Sequence, residues 1–142
     1  FNLIELGSGD GRKTQILIEH LLNKKIDFHY FPIDISGGAI VNLVKLLEDR
    51  HSNTSLKVTG LTGDYFDGLD AITQKGQNLI LFLGVSLNNM DLDMANSFLK
   101  RLSQTLKSGD SLLIGFDLMK DPKLLYSAYN NPLFEKFNIS VG

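Results

Sequence analysis

The sequence predicts an α/β fold, a doubly wound and mostly parallel sheet in the order 3-2-1-4-5, on three observations. Short apolar runs alternate with segments of helical period along the whole chain. The first apolar run empties into three alternate glycines, "ELGSGDG", a loop able to turn sharply and bring bare backbone against a ligand. The 43% hydrophobic and 21% charged shares over 142 residues describe one globular domain with a single buried core, not a disordered chain.

Each element follows from its residues. "NLIEL" is an apolar run short enough to be a buried strand, and "RKTQILIEHLLNKK" places Ile16, Leu17, Ile18, Leu21 and Leu22 at the spacing of a helix. "FHYFPID" is the second strand. The helix from about 38 to 50 carries Ile40, Leu43, Val44 and Leu47 on one face, and "SLKVTGLTGD" is the third strand. A short helical or turn segment over 67–73 leads to "NLILFLG", the most apolar strand. "LDMANSFLKRLSQTL" is a helix with Ala95, Phe98, Leu99, Leu102 and Leu106 inward, and "GDSLLIGFD" is the fifth strand. Right-handed crossovers between these strands make the sheet doubly wound.

Composition narrows the function classes. The net charge is −2, with no basic tail or stripe, which disfavours binding driven by nucleic-acid phosphates. No apolar run reaches the length of a membrane span and no secretory leader is visible. With no cysteine there is neither a disulfide nor a thiolate metal site, and His20, His29 and His51 fall on different elements without metal-ligand spacing, so no metal is expected. A cytoplasmic protein is the reading that fits. The chain opens on Phe1, inside its first strand, and reads as a truncated part of something longer.

In a doubly wound sheet the ligand sits beyond the carboxyl ends of the strands. The loops to read therefore begin near Gly7, Asp34, Asp64, Gly84 and Asp117. A dinucleotide fingerprint would place its third glycine where Arg12 stands; the pattern is instead E-x-G-x-G-x-G, with Glu5 ahead of the glycines, so a nicotinamide cofactor is the weaker reading. Asp34 ends the second strand, where a carboxylate can accept from both ribose hydroxyls, or alternatively cap the next helix in competition with Ser36. Asp64 and Tyr65 pair a carboxylate with an aromatic face suited to adenine, whereas Phe66 reads as core. Two carboxylates and no P-loop lysine motif suit a nucleoside without phosphates, and S-adenosylmethionine has that character.

The motifs "ELGSGDGRKT", "PIDIS", "GDYF", "FLGVSLNN", "GDSLLIGFDLMKD" and "AYNNPLFEKFNIS" run in one order over nearly the whole chain. In these the chain resembles the histidine-specific, S-adenosylmethionine-dependent N-methyltransferases, the family that makes trimethylhistidine for ergothioneine. The resemblance implies a Rossmann-like class I methyltransferase core and an enzyme that methylates the α-amine of histidine or a related amino acid. It implies that Gly7, Ser8, Gly9 and Gly11 hold the methionine part of the cofactor with Lys13 beside them. Asp34 would take the ribose, Asp64 and Tyr65 the adenine, and Gly84 would belong to the same site. Asn89 and Tyr129 would contact the amino-acid substrate and orient it for catalysis. This chain has Asn88 where the family usually has glycine, and its "YNNPLFEKFN" is shorter than the family's corresponding loop.

On this reading residues 1–142 are an incomplete methyltransferase core whose substrate domain lies largely outside them. The alternative is a non-catalytic Rossmann-like remnant or interaction module that keeps the cofactor loop. A final expectation concerns "SLLIGFD", which becomes an edge strand if the sheet ends there. Its apolar residues lead to the expectation of a homo-oligomer, formed either by pairing this edge across a two-fold axis or by covering it with the segment 124–141.

Overall fold

The computed structural model describes residues 1–72, 76–83, 90–115 and the backbone of 139–141. Strand β1 (Asn2–Leu6) leads into helix α1 (Arg12–Asn23), then β2 (His29–Asp34) and α2 (Gly37–Arg50). Two short strands, β3 (Lys57–Val58) and β4 (Leu61–Thr62), precede α3 (Tyr65–Ile72) and β5 (Asn78–Phe82). Helix α4 (Leu92–Thr105), β6 (Ser111–Ile114) and β7 (Ile139–Val141) complete the described elements.

The strands form one sheet in the order β3-β2-β1-β5-β6-β7, with β4 also on β2, and every described pairing is parallel. Counting β3 and β4 as the expected third strand, this is the predicted 3-2-1-4-5 order extended by one strand. The third strand is broken because α2 presses against it at Gly60. A Cβ there would stand 2.4 Å from Ile40 Cγ2 and 2.9 Å from Val44 Cγ2. Helix α3 begins two residues before the expected start because the Asp64 carboxylate accepts from Phe66 N–H at 2.9 Å and organises the first turn.

Alternation along the central strands divides the core into two layers. Ile4, Leu6, Ile80, Phe82, Leu112 and Ile114 meet Phe66 and Leu69 of α3 and Phe98, Leu99 and Leu102 of α4 on one face. Leu3, Tyr30 and Leu81 meet Ile18 and Leu21 of α1 and Leu43 and Leu47 of α2 on the other. Each fully buried Leu or Ile contributes roughly 1.5–3 kcal/mol, so the two layers fix the register that aims the strand ends. The expected inward faces of α2 and α4 are found, but Ile16 of α1 is 74% exposed; Ile18 and Leu21 are buried as expected, and Thr14 joins them.

The expected exposed edge on the fifth strand is not found. β7 pairs with β6 through Leu112 and Ile139, Leu113 and Ser140, and Ile114 and Val141. Segment 139–141 therefore occupies the edge through which self-association was expected, which removes the ground for that oligomer. No helix among the described residues is long and apolar enough to cross a membrane.

Candidate cofactor site

β1 and β2 end side by side, and the loop after β1 is pinned to the end of β2. Gly7 N–H donates to Ile33 O at 2.8 Å, and Gly9 N–H donates to Asp34 Oδ2 at 3.0 Å. Gly7, Gly9 and Gly11 have φ of 72°, 53° and 71°, so the alternate glycines of the sequence are three left-handed residues in one loop. Gly9 has no atom within 4 Å of the place a Cβ would take; its bare backbone borders open space. Gly11 does the opposite work, since its Cβ would sit 2.6 Å from Leu43 Cδ1. It lets the start of α1 close onto α2, the packing role that the dinucleotide fingerprint gives to the position of Arg12. Arg12 itself turns outward to Asp10, Nε to Oδ2 at 3.1 Å.

Around this loop opens a cleft of about 480 Å³, bordered by Glu5, Gly7, Ser8, Gly9, Asp10, Gly11, Arg12, Lys13, Asp34, Ile35, Tyr65 and Leu83. Seven expected site residues, Gly7, Ser8, Gly9, Gly11, Lys13, Asp34 and Tyr65, are thus brought together. Asp64 is not among the lining residues: it is exposed, and one carboxylate oxygen serves the first turn of α3. Gly84, Asn89 and Tyr129 lie outside the described residues.

The two competing roles for Asp34 separate cleanly. Ser36 is the N-cap of α2, its hydroxyl accepting from Ala39 N–H at 3.2 Å. Asp34 instead accepts from Gly9 N–H and, through Oδ1, from Ser36 N–H at 3.0 Å. Its half-buried carboxylate keeps further lone pairs at the mouth of the cleft. Tyr65 stands edge-on to Phe82, ring centres 6.3 Å apart. Burial and the neighbouring charges of Asp34 and Asp64 raise the pKa of its hydroxyl, so it stays a protonated donor.

Sequence reasoning passed over Glu5 except as a marker of the motif. It is only 3% exposed and borders the cleft. Its Oε2 accepts from Thr14 Oγ1 at 2.6 Å and its Oε1 from the Tyr30 hydroxyl at 2.5 Å, both partners fully buried. Burial raises the Glu5 pKa, opposed in turn by the Thr14 and Tyr30 hydrogen bonds and the Lys13 charge. An acidic residue in an apolar strand, with Thr14 and Tyr30 on the elements that flank it, was the available signal.

The residues present suit S-adenosylmethionine. A carboxylate ends β2, bare backbone faces the cleft at Gly9, and Lys13 borders it. The buried Ser8 Oγ has no hydrogen-bond partner among the described residues.

Residues 1–141 match the profile of the histidine-specific, S-adenosylmethionine-dependent methyltransferases. The chain belongs to this family. Its cofactor is S-adenosylmethionine, as the family description states. Among similar proteins, the histidine N-alpha-methyltransferase of Mycobacterium tuberculosis is 31% identical over 141 residues, covering 98% of this chain and 43% of the relative. Ergothioneine biosynthesis protein 1 of Neurospora crassa is 37% identical over 133 residues, 91% of this chain and 15% of the relative. The 4-dimethylallyltryptophan N-methyltransferase of Claviceps purpurea is 26% identical over 139 residues, 91% of this chain and 40% of the relative. The chain therefore spans less than half the length of these relatives.

Proposed function

We propose that this chain is the cofactor-binding core of an enzyme that methylates the α-amine of histidine. The observation that carries the cofactor half of the reading is the pairing of Asp34 with the glycine loop at one open cleft. The acceptor half is supported by the family and by relatives named for histidine, which are 31% identical, against 26% for the relative named for 4-dimethylallyltryptophan. Because the chain covers 40–43% of the two histidine methyltransferases, we assign most of the substrate-binding part of the full protein, beyond Asn89 and Tyr129, to segments outside residues 1–142. A cytoplasmic location belongs to the same proposal, and fractionation of the native protein checks it.

In this reading Asp34 accepts from the ribose hydroxyls, and Tyr65 flanks the adenine with Asp64 and Gly84 nearby. Lys13 pairs with the cofactor's carboxylate, while Gly7, Ser8, Gly9 and Gly11 let its methionine end lie against backbone. When bound, S-adenosylmethionine supplies an electrophilic methyl group on a sulfonium. The protein's contribution is chiefly to hold the acceptor amine close and in line, which can supply several kcal/mol of the barrier reduction. Asn89 and Tyr129 are assigned to orient that amine, which must be neutral to attack.

Calorimetry on this chain should show binding of S-adenosylmethionine but not of NAD or ATP. The full-length protein, given histidine and 4-dimethylallyltryptophan in competition, should transfer methyl to histidine by mass spectrometry. Transfer to the tryptophan derivative alone would overturn the acceptor assignment, and absence of cofactor binding would overturn the whole reading.

A further inference from the structure

Three carboxylates border the cleft, Glu5, Asp10 and Asp34. Asp10 is exposed and paired with Arg12 at 3.1 Å, and Asp34 is half-buried and shared between two backbone N–H groups. Glu5 alone is buried. Its two oxygens each accept a hydroxyl, at 2.6 Å and 2.5 Å, the lengths found when hydroxyls donate to an ionised carboxylate. An ionised Glu5 places its negative charge in a low-dielectric wall, where its field reaches farther into the cleft than that of a solvated side chain.

Methyl transfer changes the charge that faces this wall. The acceptor nitrogen's lone pair forms the new bond to carbon while the carbon–sulfur pair returns to sulfur. Positive charge therefore leaves the sulfur and appears on the methylated nitrogen, which sheds it as a proton after a first or second transfer and keeps it as a quaternary ammonium after a third. Donor and demethylated product carry the same ammonium, carboxylate, ribose and adenine, so contacts to those groups largely cancel when the two are compared. What remains is one methyl group and one positive charge.

Building on the cofactor assignment above, we infer that Glu5 is a specificity-determining residue: its buried charge makes the cleft prefer the cationic methyl donor to the neutral thioether product. Thr14 and Tyr30 are the positioning residues that hold its two oxygens. The arrangement favours loading of the donor and release of the spent product. The Lys13 charge works with the two hydroxyls to favour the ionised carboxylate against the larger effect of burial, and its attraction for a cofactor carboxylate is the same for both ligands.

The test compares calorimetric affinities of S-adenosylmethionine, S-adenosylhomocysteine and an analogue with a protonated amine in place of the methylsulfonium. Glu5→Gln keeps the size of the side chain and removes its charge. It should lower the donor-to-product affinity ratio about tenfold, with the amine analogue falling alongside the donor and the thioether nearly unchanged. Tyr30→Phe removes one of the two hydroxyls that favour the ionised carboxylate, and should lower the ratio in the same direction by a smaller factor. Equal weakening of donor and product by Glu5→Gln would overturn the inference, because Glu5 would then serve the shared ammonium or the fold. A Tyr30→Phe variant that weakens donor and product equally would also overturn it, and that arm stands even if Glu5→Gln does not fold. Failure of the wild-type chain to bind either ligand would instead overturn the cofactor assignment itself.

Discussion

Asp34 accepts a hydrogen bond from the backbone N–H of Gly9 at 3.0 Å, across 25 residues of sequence. One contact therefore fixes two parts of the cleft, the carboxylate at the end of β2 and the glycine loop after β1. The loop needs such an anchor because its three left-handed glycines carry no side chains to hold it. Ser36 makes the contact possible by capping α2 in Asp34's place.

Asp34→Ala should weaken S-adenosylmethionine binding by about tenfold to a hundredfold, the value of roughly 1.5–3 kcal/mol for hydrogen bonds to a charged group. Asp34→Asn keeps an acceptor for Gly9 and should fall between alanine and wild type. Calorimetry provides the measurement, and an unchanged affinity for Asp34→Ala would remove the ribose assignment.

Gly11→Ala should destabilise the fold by about 2–4 kcal/mol. Its φ of 71° disfavours any side chain by roughly 1–2 kcal/mol, and the new Cβ would overlap the buried Leu43 at 2.6 Å. Adding Leu43→Ala relieves the overlap but not the backbone strain, so a double-mutant cycle in urea should show favourable coupling of about 1–3 kcal/mol. Strict additivity would mean that Leu43 simply swings aside.

The order of strands was legible because alternating periods and short connections leave few ways to wind a parallel sheet. The cofactor loop was legible because left-handed backbone demands glycine, and Gly7, Gly9 and Gly11 announce it. The break in the third strand was not, since it depends on where Ile40 and Val44 of a different element come to rest against Gly60. Glu5 was missed for the same reason. Periodicity marks its position as buried, but only folding reveals that Thr14 and Tyr30 arrive to satisfy its two oxygens. Asp64 shows the reverse case: a carboxylate in the right loop whose measurable contact is local, to Phe66 N–H.

Glu5 also imposes a pH dependence on stability. Its folded pKa lies above the ordinary 4.5, with burial as the largest cause. The unfolded chain therefore ionises this group more readily than the folded one does. Its contribution to stability is fully present below the unfolded pKa and declines as pH rises through the raised folded value. Glu5→Gln removes this term, so the melting-temperature difference, wild type minus variant, should fall between acidic and neutral pH. A difference that stays level, or grows with pH, would show that the hydroxyls of Thr14 and Tyr30 outweigh the burial.

The pairing of β6 with β7 leads to the last expectation. Leu112 and Ile114 are buried, and the backbone of Leu112–Ile114 is matched residue for residue by Ile139–Val141. A chain cut after residue 138 would lose those partners and leave the groups that β7 now pairs ready for another strand. It should self-associate with rising concentration in light scattering, while the chain with β7 should not do so through this edge. Amide exchange at Leu112–Ile114 gives the local readout, because in the cut chain held dilute enough to stay monomeric the loss of β7 should speed it at the N–H groups that β7 pairs. A cut chain that remains monomeric, with exchange at these amides unchanged, would show that β7 contributes little to the edge.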